Sequence, residues 1–421
     1  MLTSGGAPGT GSSGHRPGGS RIDGHGGLVS SDGMRPATAV DSVRGWVMVA
    51  AAFAGMFATF GIAYSFGAFL GPMAEEFGAG RGATSAFFAL TSLTYFGLGA
   101  LSGVAVDRYG PRRVLLVGAV ALGTGLAATS VAGELWIGLL TYGLGVGIGV
   151  ACAYVPMVAV VSGWFERRRT LAVGVTVTGI GLGTLAVAPL AAALIAALGW
   201  RQTHLVLGLA GAVVLAGCAL VVQPPPVQAG PAALTLREAV RNRDYRRLYL
   251  ASGLLSVALF VPFVHLPGYA LQEGADRVAA AALVGVIGAA SIAGRLLLGV
   301  LAARSGALRA FQGCFLAMGL SFALWGLGGG YVVLLAFAVV LGVGYGGFVA
   351  LGPAVVAERF GTTRLGGLLG VLYTSAGLGS ALGAPLAGAT VDASGSYTPV
   401  IAGCLVLGLA GYLTVLTVGR A

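Results

Sequence analysis

Apolar stretches of twenty residues or more recur along the chain at 45–71, 83–106, 112–132, 135–161, 170–198, 202–222, 248–272, 278–302, 308–328, 331–356, 365–391 and 397–418. A helix crosses a ~30 Å hydrocarbon layer in ~20 residues, so each stretch is long enough to span. The polar breaks between them are short. The pattern predicts an all-α polytopic membrane protein with twelve transmembrane helices. Two segments stand outside it. Residues 1–43 are rich in Gly, Ser, Arg and Pro and hold no apolar run long enough for a signal-peptide core, so they are expected to form a disordered cytoplasmic tail. Residues 224–247 open with Pro224, Pro225 and Pro226, continue as a basic polar run, and divide the spans six and six. The expected organisation is a tail (1–43), an N-terminal six-helix bundle (44–223), a cytoplasmic inter-domain loop (224–247) and a C-terminal six-helix bundle (248–421).

The halves repeat. An offset of 196 places Gly103, Arg108 and Gly110 on Gly299, Arg304 and Gly306, and Gly174, Gly181, Gly183 and Pro189 on Gly370, Gly377, Gly379 and Pro385. Two pseudo-symmetric six-helix halves in parallel relation put a substrate site at their interface near the midplane, with access alternating as the halves rock. Pro156, Pro189, Pro353 and Pro385 are expected to kink their helices for that motion.

Composition narrows the function classes. The chain is 57% hydrophobic and 9% charged, with a mean hydropathy of +0.90; soluble domains are about a quarter charged, so a soluble enzyme is excluded. A net charge of +10 would suggest nucleic acid in a soluble protein, but here the positive charges sit between spans. All 24 basic residues are arginine, and 20 of them fall on one side of the spans. Glu75, Glu76, Glu134, Glu273, Asp276 and Asp392 gather on the other. Cytoplasmic loops retain arginine, which places both termini inside a plasma (inner) membrane and leaves the lipid bilayer, not nucleic acid, as the partner. The four cysteines lie in apolar stretches without metal-ligand spacing. No nucleophile–base pair or metal-ligand set is present, so neither an enzyme nor a cofactor is expected.

One charge lies inside a span. Arg295 is nine residues from Arg304 at the inner end, ~13 Å along a helix and close to the midplane. An isolated charge in hydrocarbon costs several kcal/mol, so Arg295 must face a cavity and find a partner, which a substrate carboxylate can supply with paired hydrogen bonds. An interhelical ion pair is the alternative, but no acidic residue falls near mid-depth in any span. At the repeat offset Arg295 corresponds to Gly99.

The run Gly103-Val-Ala-Val-Asp107-Arg108-Tyr-Gly110-Pro-Arg112-Arg113 resembles the loop signature of the major facilitator superfamily. Trp164-Phe165-Glu166-Arg167-Arg168-Arg169-Thr-Leu171-Ala172-Val-Gly174, followed by Thr178-Gly179-Ile-Gly181-Leu-Gly183, resembles the monocarboxylate transporter signature. Asp41 before Gly45-Trp46, with Tyr64-Ser65-Phe66 at the family's aromatic position, matches a second element of it. Pro262-Phe263-Val264-His265-Leu266-Pro267 and Gly294-Arg295-Leu296 resemble its bacterial branch, which is related to oxalate/formate antiporters. The resemblance implies the major facilitator fold and secondary transport of a short monocarboxylate such as lactate, pyruvate or acetate by alternating access, with or without a symported proton. It centres substrate binding on Arg295, with Ser291 at the position where many members carry a proton-coupling Asp. Tyr64, Tyr154 and Tyr373 are candidates for hydroxyl contacts to the substrate, against a packing role for each. His265 is the remaining candidate for a proton site at the outer gate, the other reading being a histidine hydrogen-bonded at the outer interface. Asp107, Arg108 and Arg112, with Arg304 in the second copy where the acidic position is Ala303, are expected to latch the cytoplasmic gate. The oxalate type carries a lysine where this chain has Ala376, which argues against a double anion. Lipophile efflux is a further alternative, although its Gly-Pro-x-x-Gly-Gly element is absent at Ala188-Pro189-Leu190-Ala191-Ala192.

Overall fold

In the computed structural model, residues 42–165, 168–225, 241–328, 330–360 and 365–419 are described, and every element among them is a helix. The tail expected at 1–43 and the inter-domain loop expected at 224–247 fall mostly outside these residues. Fifteen helices make up twelve rods. The first half of the chain contributes α1 (Val43–Tyr64) and α2 (Phe66–Glu76) as one rod, then α3 (Arg81–Tyr109) and α4 (Pro111–Ser130). It continues with α5 (Leu135–Ala153) and α6 (Val155–Trp164) as one rod, then α7 (Arg169–Leu198) and α8 (Trp200–Val221). The second half contributes α9 (Arg243–Leu259) and α10 (Val261–Gln272) as one rod, then α11 (Arg277–Ser305), α12 (Ala307–Gly326), α13 (Tyr331–Phe360), α14 (Leu365–Ser394) and α15 (Thr398–Val415). Eleven of the rods are long and apolar enough to cross a membrane. The twelfth, α3, carries six buried Ser and Thr residues, and Thr91 and Ser102 return their hydroxyls to their own helix at Phe87 O and Gly99 O.

The repeat seen in the sequence extends to the turns. Gly110 and Gly306, 196 residues apart, end α3 and α11 with φ of 80° and 87°. The same offset relates Gly78 to Gly274 (58° and 91°) and Gly199 to Gly395 (80° and 68°). Each has a positive φ that a Cβ would strain, so glycine recurs where one rod reverses into the next within one to four residues.

Three rods break partway along their length. Pro156, just inside α6, removes a backbone donor and breaks the fourth rod at Tyr154. Pro262 does the same at Phe260 in the seventh. The first rod breaks at Ser65 without a nearby proline; Ser65 turns its hydroxyl back to Ile62 O at 2.8 Å. The other three prolines, Pro189, Pro353 and Pro385, lie inside α7, α13 and α14, which continue through them without a break.

Packing between the halves runs along two seams, α3 against α14 and α7 against α11, joined at one end by α2 against α10. On the α7–α11 seam, a Cβ at Gly181 would lie 2.6 Å from Gly288 O, and a Cβ at Gly288 would lie 2.6 Å from Gly181 O. Backbone touches backbone there. On the α3–α14 seam Gly82 is equally tight on Ala389, and Gly377 lies against Phe96. Farther along the same helix faces, toward the arginine-rich end, Gly103 meets only Val155 of its own half among the described residues, and Gly174 and Gly299 meet none of them within 4 Å. Among the described residues, the seams are therefore zipped from the acidic end to mid-depth, and the glycine contacts cease toward the arginine-rich end.

Candidate substrate-binding site

Among the described residues, five side-chain hydrogen bonds join the halves. At the acidic end, Asp392 Oδ2 accepts from Gly82 N (2.9 Å), capping the start of α3 from α14. His265 on α10 reaches Ala384 O at 2.8 Å and Ser85 Oγ at 3.2 Å through Nε2. A carbonyl can only accept, so Nε2 carries the proton, while the buried Nδ1 has no partner. Arg81, stacked over the Tyr397 ring at 5.7 Å, and Asp392 are the charged groups within electrostatic reach of this imidazole. Deeper in, Ser380 Oγ donates to Ser92 Oγ (2.7 Å), and Tyr64 and Tyr345 share a hydroxyl hydrogen bond (3.2 Å). The fifth bond is made by Arg295.

Arg295 lies on α11 and is 8% exposed, although Leu296 and Leu297 beside it are 63% and 62% exposed on the outer surface of that helix. Its Nη1 donates to Val177 O of α7 at 2.7 Å, across the seam where the glycine contact ends. Nε and Nη2 are buried without a partner. Those two N–H groups lie on one edge of the guanidinium and form the side-on fork that matches the two oxygens of a carboxylate. Tyr345, Tyr154 and Tyr64 are within electrostatic reach of the guanidinium. All three line one cavity between the halves, together with Tyr95 and Tyr373. The helix breaks place several of these side chains: Tyr154 and Phe260 occupy two breaks, Tyr64 precedes the third, and all line the cavity. Its lining includes no charged residue, and the Tyr95 and Ser252 hydroxyls have no partner.

Of the sequence candidates, Tyr64, Tyr154 and Tyr373 are brought to the cavity beside Arg295. Ser291 is not brought there: its hydroxyl donates to Gly288 O of its own helix at 2.7 Å, and its backbone is packed against Gly346 of α13. His265 is set apart at the acidic end. Arg108, Arg112 and Arg304 are exposed at the arginine-rich end, and Arg108 stacks over Tyr109 at 5.3 Å. The Asp107 side chain lies outside the described residues, and with it the gate latch. Tyr345 and Tyr95 were not anticipated; the signal for Tyr345 was an aromatic set in the glycine run Val343-Gly344-Tyr345-Gly346-Gly347.

The sequence profile of the Major Facilitator Superfamily matches residues 51–328 and 275–420. Monocarboxylate transporter 13 of Bos taurus is 30% identical over 389 residues, covering 89% of this chain and 90% of that protein. Monocarboxylate transporter 11 of Homo sapiens is 31% identical over 399 residues, covering 89% and 83%. MFS-type transporter 1 of an Ophiocordyceps species is 27% identical over 357 residues, covering 83% and 79%. A crystal structure of a mutant nucleoside transporter NupG superposes with a TM-score of 0.70 at 14% identity, covering 89% of this chain and 100% of that one. That likeness shows the major facilitator fold. The chain belongs to the major facilitator superfamily and, within it, to the monocarboxylate transporter family, whose members are membrane carriers and not enzymes.

Proposed function

We propose that this carrier moves a monocarboxylate across the plasma membrane by alternating access, with two six-helix halves (44–223 and 248–421) rocking about a site centred on Arg295. The observation that carries this reading is the guanidinium itself: one N–H is held by Val177 O, and the Nε/Nη2 edge is buried without an acceptor beside a cluster of tyrosines. A carboxylate completes that set. Ala376, at the position of the oxalate-type lysine, lines the cavity and adds no second cation, which favours one carboxylate over two. With the arginine-rich end and both termini in the cytoplasm, these seams describe a carrier open to the inside and sealed to the outside. Lactate, pyruvate and acetate represent the carboxylate end alone. Uptake of labelled lactate and pyruvate into proteoliposomes, with and without an inside-alkaline gradient, tests carboxylate transport and its coupling together. Saturable uptake supports the reading, and absence of any carboxylate flux overturns it.

His265 is the candidate for proton sensitivity. Its Nδ1 faces no acceptor in the sealed outer end, with Arg81 near and Asp392 committed to the α3 terminus. A proton placed on Nδ1 therefore works against the seal. His265→Gln keeps a donor for Ala384 O and removes the titration. It is expected to flatten the dependence of flux on external pH while leaving exchange at neutral pH within about threefold. An unchanged pH profile would assign His265 to packing alone.

A further inference from the structure

We propose that the substrate carries a flat ring, so that this carrier takes aryl or heteroaryl monocarboxylates in preference to lactate-sized ones. The inference rests on the carboxylate reading above and adds the chemistry of the other end of the molecule.

Ten of the eighteen residues lining the cavity are Phe or Tyr, in a chain whose aromatic fraction is 9%. They stand on two opposed walls. On the first half, Phe60 sets its ring edge-on to Tyr154 (5.4 Å) and Tyr95 (5.8 Å), with Phe96 against Tyr95 at 4.3 Å. On the second half, Phe348 stacks on Phe311 at 5.4 Å with 16° between planes, and Phe260 also lines the cavity. The walls meet at Phe96, which lies 6.3 Å from Phe260 and 6.4 Å from Tyr373, and at Tyr64–Phe263 (4.5 Å), whereas no ring pair joins Phe60 or Tyr154 to Phe311 or Phe348 among the described residues. The space they line measures about 680 Å³ with its open mouth included, and a water-sized sphere has room in only a small part of it. A cavity lined mostly by rings matches a planar ring better than a methyl or a hydroxymethyl group.

The polar groups agree with one anionic end and few other demands. Arg295 does not itself line the cavity but is within electrostatic reach of Tyr64, Tyr154 and Tyr345, which do, and the free Tyr95 and Ser252 hydroxyls can serve one or two ring heteroatoms or waters. Lactate held by Arg295 would leave most of the ring-lined surface covering nothing. A ring one or two carbons from its carboxylate would lie between the walls, each ring pair contributing roughly a factor of 2 to 12 in affinity.

The test is a panel on the full-length carrier in proteoliposomes, with protein-free liposomes reporting leak of the neutral acids. Phenylacetate and indole-3-acetate are compared with acetate and lactate, and benzyl alcohol serves as a competitor that has the ring without the charge. The expected result is saturable uptake of the aryl acids with at least a tenfold higher kcat/KM than the short acids, and no competition by benzyl alcohol. A preference for lactate or acetate overturns the ring and leaves the Arg295 clamp standing. Equal competition by benzyl alcohol overturns the clamp, and the proposal with it. In addition, Phe348→Leu, which keeps the apolar volume and removes a ring face, is expected to raise the KM for phenylacetate about fivefold. An unchanged KM, with normal protein yield, places the ring elsewhere.

Discussion

Arg295→Ala is expected to insert and fold normally and to lose carboxylate transport by at least ~100-fold in kcat/KM. Hydrogen bonds to charged groups are worth about 1.5–3 kcal/mol each, and the variant loses the two that the Nε/Nη2 edge offers. The lost Nη1 bond to Val177 O costs the fold little, because Val177 lies within α7, a helix held by its own backbone ladder. Arg295→Lys separates charge from shape. It keeps a cation on a flexible stem and loses the fork, so it is expected to fall between the wild type and the alanine variant. Initial uptake rates, scaled to the amount of monodisperse protein, check both. Wild-type uptake by the alanine variant would remove Arg295 from the site.

Gly288→Ala is expected to open the outer end. In the sealed arrangement the added Cβ would meet Gly181 O at 2.6 Å and the Thr184 Cβ at 2.8 Å, so the α7–α11 seam must part to admit it. Overpacking of this kind costs about 1–3 kcal/mol. The gain in helix propensity is the same in both states of the carrier and cancels between them. A cost confined to one state shifts the population by the same energy, roughly 5- to 150-fold. Ser85→Cys supplies a reporter, since Ser85 is buried in the outer seal beside His265 and the four native cysteines are buried. Labelling by a membrane-impermeant maleimide from outside should accelerate at least fivefold in the Gly288→Ala background. On the same helix faces Gly174 and Gly299 touch none of the described residues, so substitutions there should leave that labelling slow and instead obstruct closure of the arginine-rich end. An unaltered labelling rate in Gly288→Ala would mean that the seam does not govern outer access.

Membrane-length helices were legible because a bilayer demands long apolar runs, and the turns because only glycine tolerates the reversals at Gly110 and Gly306. Arg295 was legible for a related reason: a charge inside an apolar run stands alone. Less visible were the helix breaks. Pro156 and Pro262 mark two of them, but the break at Ser65 has no proline, and Pro189, Pro353 and Pro385 sit in helices that continue through them. A lost backbone donor can be accommodated by surrounding helices, and composition does not reveal where. Ser291 was hard to place from sequence because a serine within a helix can spend its one donor on a carbonyl of the preceding turn, as Ser291 does at Gly288 O. Tyr95 and Tyr345 escaped notice because a tyrosine's role depends on which way its helix faces, which becomes definite only once the seams between the halves are known. The sealing of the acidic end was not legible at all, since one sequence encodes both states of a carrier.

The hydroxyl-rich face of α3 has a consequence for how the protein is made. Ser92 finds its partner Ser380 288 residues later in the chain, a stretch that takes a ribosome roughly 15–60 s to synthesise at ~5–20 residues per second. For that interval α3 has been released toward lipid without the helix that will cover it. Thr91 and Ser92 can wait because each also donates to a carbonyl of its own helix, at Phe87 O and Ala89 O, and so presents no unmet donor to the hydrocarbon. The nascent chain can therefore hold its second span in the bilayer long before α14 arrives, and the junction on which transport depends is among the last parts of the molecule to assemble.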